Sequence, residues 1–466
     1  MARIYYLLFL SFFSFLAPGP PAGSALQPKY LMGLGEYQCF IINTTTGRLY
    51  GVSNNLTTAG ESWDAGIPGL PVKVGVPADL SFVDVASGMH NSLAVDGHGD
   101  VWTWGSNGAG ESGMGSVEDL GFAPVKIRRD SLGNPFGGVV QVTCWSTAAS
   151  NGNIAVKSDG TVWIWGRTTE GMRGNGQSGQ INTRPVQVDL PKGKKIVKVV
   201  AGCIAIALAS DGTVWTWGGN HFKELLGTNT ADYTHPHQVP LPQRAKDIAG
   251  GNYFSYALGV DGTLYGWGFY TSYMCIGKHG YARQEPPPVV PSNLTRELNL
   301  PHPIASVVTN SVSTHVILTD GTLWGWGDNA SGCVGNGQEL DYARHQPPYS
   351  WDWGPGQLLV EKPVRLAPGV NNFIRVFGGG SAVFYSYAET ATGQLYSWGR
   401  NKGAVLGNGI VGASPDIIAL YPNSWDVTEV TAVDPFALRQ NKIVTSPYCL
   451  LHPEGSPCNQ FKPGAK

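Results

Sequence analysis

Apolar and polar positions along this chain follow one grammar, and the grammar repeats. A short β-rich run with small residues leads in, as in Ser81 to Gly88, Val139 to Trp145, Ile196 to Gly202, Ala245 to Gly251, Ile304 to Val308 and Phe373 to Gly380. An alternating run follows, such as Ser92 to Val95, Ile204 to Leu208 or Thr314 to Leu318. An Asp-Gly pair comes next, then a run of the form W-x-W-G. Asp-Gly accepts the positive φ that a tight hairpin needs, so each unit predicts two strands around a turn. Period-two alternation gives the hairpin one buried face. The two tryptophans stand two residues apart, so they share a face, which is predicted to pack on a neighbouring sheet.

The fullest copy of D-G-x-x-W-x-W-G is Asp211 to Gly218. Lys157 to Gly166 and Leu318 to Gly327 repeat it, and Asp261 to Gly268 carries Tyr265 for the first Trp. Gly97 to Gly105 follows the looser turn Asp96 to Asp100; Gly393 to Gly399 is a sixth copy, and Gly47 to Ser53 a worn seventh. The motifs end at positions 53, 105, 166, 218, 268, 327 and 399. A unit of roughly 50 residues is a three- or four-stranded sheet that cannot bury its faces alone, and seven stacked about an axis bury one another. The predicted fold is therefore all-β, a seven-bladed β-propeller. The first repeat has little chain before its hairpin, so Val427 to Val433 is expected to complete the first blade and close the ring with a C-terminal strand. The domain plan is residues 1–25 as a signal peptide, 26–434 as the propeller and 435–466 as a tail.

That leading segment has Arg3 before an apolar run from Ile4 to Ala17, then Pro18 to Pro21 and the small residues Gly23-Ser24-Ala25. The run is shorter than the roughly 20 residues that span a bilayer, so it reads as a cleaved signal peptide and no membrane span is expected. The protein is then secreted and extracellular. In that compartment Cys449 and Cys458 are expected to pair across a short loop of the tail. Asn43, Asn55, Asn293 and Asn329 each begin an N-x-S/T sequon and are expected to carry glycans on exposed loops.

Composition narrows the function further. Lys+Arg 31 against Asp+Glu 33 leaves no excess charge to attract nucleic acid. Cys, His and carboxylate spacing suggests no metal site, no cofactor is implied, and the chain is expected to be a monomer. His235-Pro236-His237 is the tightest His pair, without a third ligand at supporting spacing. Asp159, Asp211, Asp261 and Asp320 are turn formers by position, and no nucleophile triad stands out.

The repeats resemble the regulator-of-chromosome-condensation family. Gly88 to Val95 and Thr314 to Leu318 match the first half of that family's blade; Gly327-Asp328-Asn329, Gly399-Arg400-Asn401 and Leu406 to Gly409 match the second. The resemblance implies a seven-bladed propeller, with His90 and His315 in a structural slot. It does not imply one function. Some relatives are nuclear exchange factors on chromatin, which secretion and balanced charge set aside. A plant photoreceptor relative uses a G-W-R-H-T motif that this chain lacks. A secreted bacterial relative covers an enzyme's active site with one propeller face.

Ten of the 15 Trp fall in motif slots, which leaves Trp63, Trp145, Trp351, Trp353 and Trp425 and the loops after each W-G as the candidates for function. Arg167, Glu170, Arg173, Lys223, Glu224, Tyr270, Tyr273, Trp351, Trp353, Arg400 and Lys402 are the expected binding rim. Two functions compete. One is a recognition protein that binds an extracellular protein or glycan through these loops. The other is an extracellular enzyme with a site assembled at the channel mouth. Convergent carboxylates or histidines at that mouth would favour the enzyme; a Tyr/Trp/Arg face would favour recognition.

Overall fold

The computed structural model describes residues 28–52, 72–77, 79–89, 91–119, 124–146, 151–220, 232–251, 254–268, 291–329, 332–337, 359–379, 383–400, 405–407 and 414–419. They form seven antiparallel four-stranded sheets, each a contiguous piece of chain, arranged as a seven-bladed β-propeller. The inner strands are Tyr30–Leu34, Phe82–Ser87, Val139–Ser146, Ile196–Ala201, Ala245–Gly250, Ile304–Thr309 and Phe373–Phe377. The third strands, which carry W-x-W-G or its variants, are Arg48–Val52, Val101–Gly105, Val162–Thr168, Val214–Gly218, Leu264–Gly268, Leu323–Asp328 and Leu395–Gly399.

Strand alternation separates one neighbouring blade from the other, rather than core from solvent. In blade 4, Ala205, Ala207 and Ala209 face blade 3. Ile204, Ile206 and Leu208 face blade 5. The whole second strand, Ile204–Ala209, is buried, so the expected single buried face becomes two. The small residues on one face make room for tryptophan, because Trp217 pairs in register with Ala205 and Trp215 with Ala207. Ser92, Asn153, Ser255, Thr314 and Ser386 take the same place opposite Trp104, Trp165, Trp267, Trp326 and Trp398.

The apolar core is accordingly divided into seven clusters, one at each junction between adjacent blades. In the six motifs that carry it, the second Trp packs on a neighbouring sheet as the spacing predicts, and the neighbour is the preceding blade. Trp165 donates its indole N–H to Glu111 O at 2.8 Å, Trp217 to Met172 O at 2.9 Å and Trp398 to Cys333 O at 3.1 Å. Burying one such ring contributes roughly 4–6 kcal/mol from area alone. Gly113, Gly174 and Gly335 lie on these indoles with φ of +68°, +67° and +83°, and a Cβ there would come within 3.0 Å of the ring. Both the close approach and the left-handed backbone demand glycine.

Outer strands are protected from edge pairing by bulges that contain Pro185, Pro236 and Pro363. Loops of the preceding blade also cover them, with Gly115 N donating to Thr183 O at 2.7 Å and Gly176 N to Thr234 O at 2.9 Å.

Closure differs from the expectation of a C-terminal strand. The first blade has its own inner strand, Tyr30–Leu34, paired in register with Cys39–Asn43, so the place assigned to Val427–Val433 is already filled. That segment lies outside the described residues. The ring closes by side-chain packing of Tyr30, Leu34, Cys39, Ile41 and Val52 on Phe377, Val383, Tyr385, Tyr387 and Leu406. Tyr385 O–H donates across this seam to Gly35 O at 2.8 Å and Gln38 O at 3.1 Å. Residues 1–25 and the Cys449–Cys458 pair also fall outside the described residues. Cys39 and Cys144 are buried thiols whose pKa burial pushes up.

Candidate functional site

An up-down-up-down blade puts its loops on two opposite ends. The loops after each W-G, and those joining inner to second strands, share the loop end. Asp-Gly turns and the connections between blades share the turn end.

The expected rim lies on the loop end. Arg167 is exposed at the close of the blade 3 tryptophan strand, and Glu170 and Arg173 follow in the same loop. Glu170 adopts φ +56°. Its Oε2 is 3.0 Å from where a Cβ on Gly219 would stand, at the start of the next blade's loop. Arg173 donates from Nη1 to Gln180 Oε1 at 3.0 Å. Partial burial lowers the pKa of its guanidinium. Arg400 lies on blade 7, across the ring, with its guanidinium 5.7 Å from the Phe384 ring centre. The structure thus brings Arg167, Glu170 and Arg173 together and leaves Arg400 apart. Lys223, Glu224, Tyr270, Tyr273, Trp351, Trp353 and Lys402 lie outside the described residues.

Beneath that end runs a buried polar belt that sequence reasoning missed. Glu111 is 4% exposed. Its Oε1 accepts from Asn151 Nδ2 at 2.6 Å and its Oε2 from Ala109 N at 2.8 Å. Burial raises the Glu111 pKa; the backbone amides of Glu111 and Ala109 and the Arg167 charge oppose the rise. Asn153 Nδ2 donates to Glu111 O at 2.6 Å, and Asn91 Nδ2 to Asn153 Oδ1 at 2.8 Å. Gln38 Nε2 donates to Ser92 Oγ at 3.0 Å and so ties in blade 1. The available signal was a polar residue at the start of successive apolar second strands. Full internal pairing makes this belt a support for the loops rather than a reactive centre.

A second missed constellation lines the axis. The inner strands of blades 2 to 7 all show a register irregularity at the same place, and the next residue in each is polar: Asp84, Gln141, Lys198, Asp247, Ser306 and Arg375. A bulge re-aims a side chain, here once in each of six blades around the axis. Lys198 Nζ binds Asp247 Oδ1 at 2.5 Å and Ile248 O at 3.0 Å. Gln141 exchanges two 2.9 Å bonds with the backbone of Val199. Asp84 Oδ2 accepts from Val142 N at 2.7 Å. Burial pushes the Asp84 carboxyl up to about 7, against the pull of that amide and the Arg375 charge. The Arg375 pKa is lowered by burial, while Glu389, Asp84 and Asp247 sustain its charge. The signal was a polar residue at the third position of each of these six inner strands.

At the turn end the motif aspartates are structural, as read from the sequence. Thr161 Oγ1 donates to Asp159 Oδ1 at 2.7 Å and accepts from Trp163 Nε1 at 3.0 Å. The same relay joins Asp211, Thr213 and Trp215, and Asp320, Thr322 and Trp324. In the longer turn of blade 2, Asp96 Oδ2 takes the Trp102 indole directly at 2.8 Å. Asp100 bonds to Lys126.

His315 is fully buried, its Nε2 3.2 Å from Val334 O and 3.1 Å from Trp398 Nε1, so its slot is structural. His90 lies outside the described residues. His235 and His237 are exposed on the outer strand of blade 4, and His237 stacks on Tyr233 at 4.1 Å. Among the described residues no group of three or more His, Cys, Asp or Glu is placed to hold a metal. No helix among them is long and apolar enough to cross a membrane.

Three expectations are corrected. Trp145 is 1% exposed and belongs to the junction of blades 3 and 4, not to a binding surface. Asn43 and Asn329 are buried rather than on exposed loops. Asn43 Oδ1 caps its turn at Thr45 N, 3.0 Å, and Asn329 bonds Val334 N and Asn336 Oδ1. Asn293 is exposed on an outer strand, and Asn55 lies outside the described residues.

Comparison with known proteins agrees with this architecture. Residues 35–438 match the family model for the RCC1-like domain. The chain is 26% identical over 355 residues to the ultraviolet-B receptor UVR8 of Arabidopsis thaliana, covering 74% of this chain and 72% of the receptor. It is 33% identical over 192 residues to the human E3 ubiquitin-protein ligase HERC2, 41% of this chain but 4% of the ligase. It is 27% identical over 354 residues to pim1 of Schizosaccharomyces pombe, 72% of this chain and 61% of that protein. Among solved structures, yeast RCC1 (Prp20) bound to Kap60 superposes with TM-score 0.61 at 22% identity, covering 86% of this chain and 89% of that one. Human WBSCR16 gives 0.60 at 20% identity, covering 78% and 91%.

Proposed function

The chain belongs to the RCC1-like domain family, and we propose that it is a secreted monomer that binds an extracellular protein or glycan through its loop end. One observation carries the reading: exposed Arg167 at the end of the blade 3 tryptophan strand, with Glu170 and half-buried Arg173 in the loop after it, stands on a strand whose partner residue Asn151 is held by Glu111. A rigid floor under polar, arginine-bearing loops limits the entropy lost on binding. Arginine is also prominent where binding energy concentrates. The extracellular setting is supported by Arg3, the apolar run Ile4 to Ala17 and the small residues before Leu26. The yeast relative's structure contains Kap60, and that partner is a statement about the yeast protein alone.

An extracellular enzyme is the second reading, favoured by the axial cluster of Asp84, Asp247 and Arg375. A carboxyl at about 7 is suited to proton transfer near neutrality. Against it, Asp84 is engaged by the Val142 amide and Asp247 by Lys198.

Purified protein used as bait in its native extracellular fluid decides between them. The recognition reading expects a protein or glycan that is retained by wild type and lost with Arg167→Ala/Arg173→Ala. Recovery of no partner, with chemical conversion of a small molecule that Asp84→Asn abolishes, would sink it.

A further inference from the structure

One axial residue differs from its counterparts in what it bonds. On three successive blades the side chain at the register irregularity engages the backbone of the next blade. Asp84 takes Val142 N, Gln141 takes both polar backbone atoms of Val199, and Lys198 takes Ile248 O. Arg375 holds the same place on blade 7, yet its guanidinium makes no hydrogen bond or ion pair among the described residues. Blade 1, next in the ring, has Leu31 at the corresponding register, paired with Ile42 without a bulge, so it presents no polar side chain there.

The surroundings of Arg375 hold its charge without meeting its donors. The guanidinium carbon stands over the Phe377 ring, 5.8 Å from the centre, a contact that uses none of the N–H donors. Glu389 lies opposite Arg375 in register, but its Oε1 is taken by the Lys29 amide at 2.7 Å. Asp84 is taken by the Val142 amide, and Asp247 by Lys198 at 2.5 Å and the Ile248 amide at 2.9 Å. All three carboxyls sustain the Arg375 charge through space, and none pairs with it directly.

Solvent reaches this level of the axis. The paired side chains of Lys198 and Asp247 remain 33% and 21% exposed, and Gln141, Ser306 and Arg375 are half-buried. The Ser306 hydroxyl, at the same place on the adjacent blade 6, also makes no hydrogen bond among the described residues. A guanidinium withdrawn from bulk water without a protein acceptor is destabilising unless another group accepts from it.

We propose that the axis at blades 6 and 7 binds a small monovalent carboxylate, its two oxygens on the Arg375 fork and the Ser306 hydroxyl as a further donor. The planar fork names the carboxylate, whose two oxygens match it. The surrounding charges set the valence. Lys198 and Asp247 cancel, which leaves Arg375 facing Asp84 and Glu389. Those two carboxyls titrate near 7, so they give way to one added negative charge by taking up protons, whereas a dianion meets repulsion that a single guanidinium does not offset. The same protons release Arg375 from competition, so binding tightens as pH falls from 8 to 6. Lys198, Asp247 and Lys29 are the other charged groups around these two carboxyls. The site stands independently of the loop-end reading.

The test uses the full chain and sodium acetate, read as saturation transfer from the protein to the acetate methyl, with chloride holding the ionic strength constant. Wild type should show saturable transfer, with higher affinity at pH 6 than at pH 8. Arg375→Lys keeps a cation without the fork and should weaken binding about tenfold. Ser306→Ala should weaken it several-fold, which keeps the result readable if the Arg375 variant melts early. Formate should displace acetate more effectively than sulfate does. Arg167→Ala/Arg173→Ala should leave the affinity unchanged, so a failure here is told apart from a failure of the loop-end reading. No saturable transfer to wild type, affinity unchanged by both Arg375→Lys and Ser306→Ala, or displacement by sulfate ahead of formate would overturn the proposal.

Discussion

The backbone amide of Lys29 donates to Glu389 Oε1 at 2.7 Å, joining residues 360 apart in sequence. This bond lies on the seam where blade 7 meets blade 1. Since no strand is shared there among the described residues, closure rests on such side-chain bonds and on the Tyr30–Tyr387 cluster. Glu389 is 1% exposed, and its Oε2 has no hydrogen-bond partner. Burial pushes its carboxyl up to about 7, against the Lys29 amide and the Arg375 charge.

Glu389 and Asp84 should make stability fall as pH rises towards 8. Both folded carboxyls titrate near 7, above the usual carboxylate range, so the folded chain binds more protons than the unfolded one between those values. The contribution is full below the usual range and is lost as pH rises through 7. The melting temperature should drop from pH 6.5 to 8.5, and Glu389→Gln should flatten that slope. A wild-type melting temperature that climbs over this interval would contradict the assignment.

His315 should act in the opposite sense. Burial lowers its pKa to about 4, below the ordinary value of 6.5, so its contribution is present above 6.5 and is lost as pH falls towards 4. Replacement by Gln should remove that acid limb, read as the difference between wild-type and variant melting curves from pH 7 to pH 4.5.

The two tryptophans of one motif should differ in cost. Trp165→Phe removes one of the two donors to Glu111 O, Asn153 Nδ2 remaining, and leaves a gap beside Gly113 in a fully buried slot, costing about 2–3 kcal/mol in all. Trp163→Phe loses a bond to Thr161 nearer solvent and should cost about 1 kcal/mol. Denaturant midpoints of the pair check the order.

Glycan occupancy should follow burial. In chain secreted from eukaryotic cells, Asn293→Gln should remove one glycan mass, while Asn43→Gln and Asn329→Gln should leave the mass of attached glycan unchanged. A glycan recovered from Asn329 would conflict with its buried bonds to Val334 N and Asn336.

The blade pattern was legible because its information is local. Asp-Gly sets a turn through its own φ values, and W-x-W sets a face through the two-residue repeat of a strand, so copies in register name a propeller before any coordinates exist. The structural roles of Asp159, Asp211, Asp261, Asp320 and His315 followed from their places in that pattern. Closure was misread because Tyr30–Leu34 is a short strand without a motif, recognisable only by what it pairs with.

The sequence by itself determined the strands, the turns, the number of blades and the residues that pack between them. Tertiary structure decided what those patterns face. It turned one buried face into two, because each sheet stands between neighbours. It placed Trp145, Asn43 and Asn329 inside and gathered Asp84, Asp247 and Arg375 at one axis from three distant strands. Those groupings depend on distances between blades, which arise only when the ring closes and charge and desolvation act across it.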